Sequence, residues 1–272
     1  MQGSRLGPYR LEEHLGEGST GIVVKAVREP DEQVVALKVL RPELGADETY
    51  RRRFVHEARV ASDAAHPHLV AIVDAGELEG RPYIASRYVE GRSLEERIHV
   101  GGPLPLDELR RLSAHLAGAL DELHRCGLVH RDIKPSNVVL DKAGSAWLTD
   151  FGLAKGPAYT VLTKPGEVMG TLDYLAPELI RGESATPATD IYALGCLVFE
   201  ALAGAPPFAG RSLFEVGAAH LGEEPPDLTG FRSDVSSDLA WAVTHALAKS
   251  PDRRPPTATA YARILAVAAR RG

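Results

Sequence analysis

The apolar positions of the chain change their spacing near residue 90. Before this point, short runs rich in β-branched residues alternate with turn residues, which predicts strands over 9–15, 21–28, 34–40, 69–75 and 82–89. One helix, predicted over 47–64, interrupts the strands; it opens with acidic residues and ends before His66-Pro67. We therefore expect a β-rich N-terminal lobe over residues 1–90.

After residue 90 the apolar residues recur at helical spacing. A helix is predicted over 107–126 from a stripe of leucines at positions 109, 112, 116, 120 and 123. Further helices are predicted over 190–204, 236–249 and 255–271. The intervening chain, 154–187, carries glycine and proline without periodicity, and so long a loop inside a domain usually has a function. These patterns predict an α+β fold with a larger helical lobe over 91–272.

Composition narrows the class of protein. Hydrophobic residues make up 44% of the 272 residues and charged residues 25%, as in ordinary globular proteins. The net charge of -6 argues against a nucleic-acid or anionic-membrane partner, which would require a basic field. Two cysteines, Cys126 and Cys196, cannot form a disulfide framework and favour a reducing compartment. We expect a cytoplasmic protein, or the cytoplasmic part of a longer membrane-anchored one, with no membrane contact by this segment.

A glycine-rich stretch, LGEGSTGIV, occupies residues 15–23. Gly16, Gly18 and Gly21 permit a tight turn whose backbone N–H groups can approach phosphates closely. The pattern alone is weak, because a plain glycine hairpin produces it too. A dinucleotide-binding motif would open a helix here, whereas residues 22–27 have the pattern of a strand. The context favours a β-hairpin that covers phosphates.

Lys38 lies on the apolar strand that follows. Taken alone, such a lysine is more often an edge-strand solubiliser, but it can also neutralise nucleotide phosphates. A buried lysine would need a carboxylate partner, for which Glu57 on the next helix is a candidate. The competing interpretation of Glu57 is an ordinary solvated helix face.

The strongest chemical signal is HRDIKPSN at residues 130–137. Asp132 and Asn137, five residues apart on a short loop, can place a carboxylate on an incoming hydroxyl and an amide on a metal. Asp150 begins Asp-Phe-Gly after an apolar strand, and a carboxylate there suits a hard cation that also binds ATP phosphates. Ala-Pro-Glu at 176–178 closes the long loop.

In order and spacing, these motifs resemble the protein kinase signature from about Tyr9 to Tyr261. The motifs, together with DIYALG at residues 190–195, are most similar to those of the eukaryotic-like serine/threonine kinases of bacteria. The resemblance implies a bilobal kinase fold with a small antiparallel sheet, and transfer of the ATP γ-phosphate to protein serine and threonine hydroxyls. ATP with Mg²⁺ is the implied cofactor, with Mn²⁺ as a substitute. The residue types at Lys134 and Thr171 are similar to those at the matching positions of serine/threonine kinases rather than of tyrosine kinases.

The same resemblance assigns roles to the motif residues. The three glycines would cover the phosphates, and Lys38, paired with Glu57, would bind the α- and β-phosphates. Asp132 would accept the hydroxyl proton beside Lys134. The metal would be held by Asn137 and Asp150. The adenine part of the nucleotide is expected to contact Leu15, Val23, Ala36, Arg87, Val89 and Val139. Ser86, where a bulkier residue is common, predicts an open back pocket.

Regulation by loop phosphorylation is also implied. Arg131 precedes the catalytic aspartate, and Lys155 and Arg53 could converge with it on one anion. The predicted autophosphorylation sites are Thr163 and Thr160, with a homodimer for reaction in trans; Glu167 could partly substitute for the phosphate.

Two structural roles and two rival functions complete the expectations. His130 is expected to support the ring of Phe151 rather than to act as a base, and Glu178 to form a buried ion pair with Arg254. The rivals are an ATP-binding pseudokinase scaffold and a small-molecule phosphotransferase. Retention of Lys38, Asp132 and Asp150 disfavours the first, and the peptide-docking segment at 170–178 disfavours the second.

Overall fold

The computed structural model describes residues 4–18, 20–29, 31–150 and 172–270, with Arg53 described by its backbone alone. The chain divides into two compact units, Met1–Glu90 and Gly91–Gly272. The expected α+β class, a sheet-bearing N-terminal part and a helical C-terminal part, is confirmed.

A six-stranded antiparallel sheet dominates the first unit, in the order β1-β2-β3-β4-β6-β5. Its strands are β1 (Arg5–Leu6), β2 (Tyr9–Glu17), β3 (Gly21–Arg28), β4 (Gln33–Leu40), β5 (Ile72–Leu78) and β6 (Arg81–Arg87). Alternate side chains on the central strands point into one core, which includes Val35, Leu37 and Ala85, each fully buried. This sheet carries the glycine-rich turn between β2 and β3.

Two helices join β4 to β5: α1 (Pro42–Gly45) and α2 (Glu48–Ala61). The Asp47 carboxylate caps α2 by accepting hydrogen bonds from the N–H groups of Thr49 and Tyr50. Phe54, Ala58 and Ala61 are buried at helical spacing along one side.

Two predicted boundaries in this region were wrong. The helix predicted over 47–64 ends at Ala61, and the strand predicted over 69–75 begins only at Ile72. A turn after α2 explains the second error: the Leu69 N–H donates to the His66 carbonyl, so Leu69 is buried by a turn rather than by a strand.

The second unit is mainly helical. Its α-helices are α3 (Leu94–Gly101), α4 (Leu106–Arg125), α5 (Pro177–Ile180), α6 (Pro187–Ala203), α7 (Leu213–Gly222), α8 (Ser237–Ala246) and α9 (Ala258–Ala268). A three-stranded antiparallel sheet has the order β7 (Gly91–Ser93), β8 (Val138–Asp141) and β9 (Ala146–Leu148). Short 3-10 helices lie at Pro135–Asn137, Leu172–Tyr174, Leu228–Gly230 and Pro251–Arg253.

Helix α6 is the centre of this unit. Every residue from Thr189 to Leu202 is buried, so this helix lacks a polar face and must be surrounded by other elements. Two of its buried residues are acidic, Asp190 and Glu200. None of the helices in the described part of the chain combines the length and the apolar character needed to cross a bilayer.

Candidate active site

Asp132 lies in a hydrogen-bonded loop between α4 and β8. The side-chain amide of Asn137 donates to the Asp132 carbonyl at 2.7 Å and to its carboxylate Oδ2 at 2.9 Å. The Lys134 ammonium lies 3.2 Å from the same oxygen. Three of the predicted site residues, Asp132, Lys134 and Asn137, are therefore brought together around one carboxylate.

The buried carboxylate of Asp190, on α6, binds the backbone of this loop. It accepts hydrogen bonds from the backbone N–H of His130 at 2.7 Å and from that of Arg131 at 2.8 Å. Arg131 has a positive φ of 64°, a conformation that a non-glycine residue keeps only where its surroundings hold it. Asp190 therefore fixes two consecutive backbone N–H groups of the loop, those of His130 and Arg131.

His124, at the end of α4, also binds Asp190, and the sequence did not reveal it. Its Nε2 lies 2.8 Å from Asp190 Oδ2. The available signal was a histidine in the last turn of an apolar helix, six residues before the His-Arg-Asp motif. Such a position alone does not distinguish a buried partner from a surface residue.

His130 is buried between the loop and the strand end. Its Nδ1 lies 3.2 Å from the Asp132 N–H, which makes it an acceptor, and Nε2 then donates to the Thr149 carbonyl at 3.0 Å. Burial lowers the pKa of His130, since it disfavours the charged imidazolium. A neutral, doubly hydrogen-bonded ring fits the predicted structural role; its expected neighbour Phe151 lies outside the described residues.

Asn137 and Asp150, the predicted metal ligands, lie on two segments that are joined by hydrogen bonds. The backbone N–H and the hydroxyl of Thr149 both donate to the Asn137 carbonyl, at 3.0 and 3.3 Å, which ties the residue before Asp150 to Asn137. Since the amide nitrogen of Asn137 is engaged with Asp132, its amide oxygen remains as a ligand.

This pair of residues fits a hard divalent cation that takes its other ligands from phosphates and water. The described residues hold no cluster of three or more His, Cys, Asp or Glu side chains suited to a metal ion.

In the first unit, the glycines of the β2–β3 turn differ in their surroundings. A Cβ atom at Gly21 would approach the Val39 carbonyl oxygen to 2.2 Å, so the sheet itself requires glycine there. A Cβ atom at Gly16 or at Gly18 would meet no atom of the described residues within 4 Å. The open space beside these two glycines fits the phosphates of a nucleotide, which side chains would otherwise obstruct.

The remaining predicted nucleotide contacts lie on the strands around this turn and on β8. Lys38 on β4 pairs with Val23 on β3, and Ala36 pairs with Ser86 on β6. Within that pair, the Ser86 hydroxyl donates to the Ala36 carbonyl at 3.3 Å. Lys38 and Glu57 are both half-buried. Of the other contacts, Leu15 and Arg87 are exposed, Val89 is half-buried in the first unit, and Val139 is half-buried on β8 in the second.

The predicted regulatory residues are mostly outside the described part of the chain. This holds for Lys155, Thr160, Thr163 and Glu167, and for the side chain of Arg53. Thr171, which indicated a serine/threonine kinase, also lies outside the described residues. Arg131 is the described member of the group.

The predicted ion pair between Glu178 and Arg254 is confirmed. The guanidinium donates to both carboxylate oxygens, at 2.7 and 2.8 Å, and both residues are buried. The Thr189 hydroxyl donates to the same carboxylate at 2.9 Å. These bonds anchor the start of α5, which follows the 3-10 helix Leu172–Tyr174.

Comparison with known proteins agrees with this geometry. A family model described as "Protein kinase domain" matches residues 9–263. Among curated proteins, the serine/threonine-protein kinase PknB of Mycobacterium leprae (strain TN) is 38% identical over 92% of this chain and 41% of its own length. PknE of Mycobacterium tuberculosis is 36% identical over 93% of this chain and 44% of its own length. The chain thus spans about two fifths of the length of these relatives.

Solved structures show the same similarity. The crystal structure of the Mycobacterium tuberculosis PknI kinase domain superposes with a TM-score of 0.81 at 32% sequence identity. The alignment covers 99% of this chain and 98% of that one.

Proposed function

The chain belongs to the protein kinase family as a serine/threonine kinase domain, and on that premise we propose that Asp132 is its catalytic base. The family uses ATP with a divalent metal; we propose Mg²⁺, with Mn²⁺ as a substitute. The acceptors are serine and threonine hydroxyls of proteins. The observation that carries the proposal is the convergence of Asn137 and Lys134 on the Asp132 carboxylate.

Each group of this loop has a chemical task. Asp132, oriented by Asn137, accepts the proton of the substrate hydroxyl as the oxygen attacks phosphorus. Lys134, on the same carboxylate, stabilises the equatorial oxygens of the transferring phosphoryl group. Since phosphoryl transfer has a loose transition state, positioning and charge neutralisation supply most of the acceleration.

The proposal also assigns residues to the metal and to the nucleotide. Asn137 and Asp150 would bind the metal, which neutralises phosphate charge when bound. Lys38, with Glu57 as its partner, would bind the α- and β-phosphates, while Gly16 and Gly18 leave room for the phosphates beneath the turn. The adenine would contact Leu15, Val23, Ala36, Arg87, Val89 and Val139.

Phosphate transfer from labelled ATP to a generic basic protein tests this function. The wild-type protein should phosphorylate serine or threonine in the presence of Mg²⁺. Asp132→Asn should abolish transfer but keep nucleotide binding, because the amide preserves the shape but cannot take a proton. Asp150→Asn should lose transfer and weaken the metal dependence of nucleotide binding. Nucleotide binding without transfer by the wild type, on every acceptor, would instead support a pseudokinase scaffold.

Activation by loop phosphorylation belongs to the same proposal. Arg131, Lys155 and Arg53 would attract a phosphothreonine at Thr163 or Thr160, formed in trans within a homodimer. Incubation of the Asp132→Asn protein with a catalytic amount of wild type, followed by peptide mapping, tests this. Phosphate on either threonine supports reaction in trans. Full activity with an unmodified loop would refute activation by phosphorylation.

A further inference from the structure

Arg41 reaches from the end of β4 to the glycine-rich turn. Its guanidinium Nε donates to the Gly18 carbonyl at 3.1 Å, and a terminal guanidinium nitrogen donates to Glu17 Oε1 at 2.7 Å. Its backbone N–H donates to the Thr20 carbonyl at 3.0 Å. One residue, three positions after Lys38, therefore contacts both sides of the turn.

The packing of the turn shows why these bonds matter. Cβ atoms built at Gly16 and Gly18 would meet none of the residues that the structure describes within 4 Å, so packing against those residues does little to define the turn there. Within the turn, the Gly18 N–H donates to the Gly21 carbonyl at 2.9 Å. The two hydrogen bonds of the Arg41 guanidinium, to Gly18 and Glu17, connect the exposed turn to the end of β4.

We propose that Arg41 is a positioning residue for nucleotide binding, which holds the glycine-rich turn ready to cover the phosphates of ATP. The inference rests on the proposed nucleotide site. The side chains of Arg41 and Glu17 are 40% and 47% exposed, and an ion pair so exposed contributes little to stability. Ordering the turn in advance removes part of the entropy loss that binding would otherwise incur.

The geometry distinguishes positioning from a simple charge effect. The planar guanidinium binds a carbonyl and a carboxylate at once, whereas a lysine ammonium is a point charge on a flexible stem. If the fork is what matters, Arg41→Lys behaves nearly like Arg41→Gln. Glu17→Gln removes the charge of one partner and leaves the bond to Gly18, so its effect should be smaller.

Steady-state kinetics on the full chain, with ATP varied and protein acceptor saturating, tests the inference. Arg41→Gln should raise KM for ATP by about three- to tenfold, the scale of a lost pre-ordering of a short segment. It should leave kcat and the melting temperature unchanged. A fluorescent ATP analogue bound in the presence of Mg²⁺ should lose affinity by the same factor.

Arg28→Gln is the matched control. Arg28 lies in the same sheet at the other end of β3 and donates to Asp31 at 2.9 Å and to Gln33 at 2.7 Å. This variant should match the wild type in KM and in analogue affinity. Equal values for Arg41→Gln and Arg28→Gln, or full rescue by Arg41→Lys, would overturn the inference. An inactive wild type that binds the analogue would refute the proposed function, and the binding data would still decide the role of Arg41.

Discussion

The Tyr9 hydroxyl donates a hydrogen bond to the Asp74 carboxylate at 2.8 Å, although three strands separate β2 and β5 in the order of the sheet. The Tyr83 hydroxyl donates to the same oxygen at 2.5 Å. The two tyrosine rings meet edge to face, with centroids 5.6 Å apart. The sheet is therefore curved strongly enough for one carboxylate to join its two sides.

We predict that Tyr9→Phe destabilises the protein by about 1–2 kcal/mol, since a partly buried hydrogen bond to a carboxyl group is lost while Tyr83 keeps Asp74 partly satisfied. Urea unfolding measures the change. Tyr261→Phe is the control, because the buried Tyr261 hydroxyl has no hydrogen-bond partner among the described residues. That variant should be neutral or slightly stabilising. Equal losses for the two variants would show that the bond to Asp74 contributes nothing of its own.

The ion pair of Glu178 and Arg254 should be among the costliest contacts to break. Arg254→Met leaves a buried carboxylate without its cation, for which we expect a loss of about 3–5 kcal/mol in the free energy of unfolding. The double variant Glu178→Gln with Arg254→Met buries no charge and should recover part of that loss. Thermal and urea unfolding of the wild type, the single variant and the double variant measure these changes in stability. A double variant less stable than Arg254→Met would contradict this explanation.

The sequence predicted most of what depends on local pattern. Asp132, Lys134 and Asn137 lie within one short loop, so their spacing in the sequence predicted that their side chains lie close together. The pair of Glu178 and Arg254 was predicted from the kinase resemblance.

Contacts between residues that are far apart in the sequence could not be predicted from the local pattern of residues. The bond from Tyr9 to Asp74 depends on sheet curvature, and the bonds of Arg41 and His124 depend on where a strand and a helix end. Helix α7 was missed because Gly217 interrupts its pattern and because the apolar Phe214, 87% exposed, lies outside its buried side.

Ser86 should control the response to inhibitors of the ATP site. Its small side chain donates to the Ala36 carbonyl at 3.3 Å, and we expect a methionine at this position to fill space that bulky inhibitors would otherwise occupy. Ser86→Met should reduce the affinity of bulky ATP-competitive inhibitors about tenfold or more, equivalent to about 1.4 kcal/mol. Inhibition curves at matched ratios of ATP to KM measure the effect. The same sensitivity in both proteins would contradict an open pocket behind Ser86.

Glu200 should make stability depend on pH. It is buried on α6, where its carboxylate accepts a hydrogen bond from the Tyr174 hydroxyl. Burial raises the pKa of Glu200 from 4.5 to about 7; the Tyr174 bond opposes this shift, and the nearby carboxylates of Glu95 and Asp173 add to it. Between these two pH values the folded state binds a proton that the unfolded state has lost.

Stability should therefore fall as pH rises from about 4.5 to about 7, by up to about 3 kcal/mol from this residue, and then become constant. Glu200→Gln cannot ionise, so it should remove this slope and be more stable than the wild type at pH 8. Urea unfolding at intervals across pH 4.5–8 measures the difference between the two proteins. Glu96→Gln, at an exposed position of α3, should keep the slope of the wild type. A wild-type slope retained by Glu200→Gln would mean that Glu200 is ionised throughout this range.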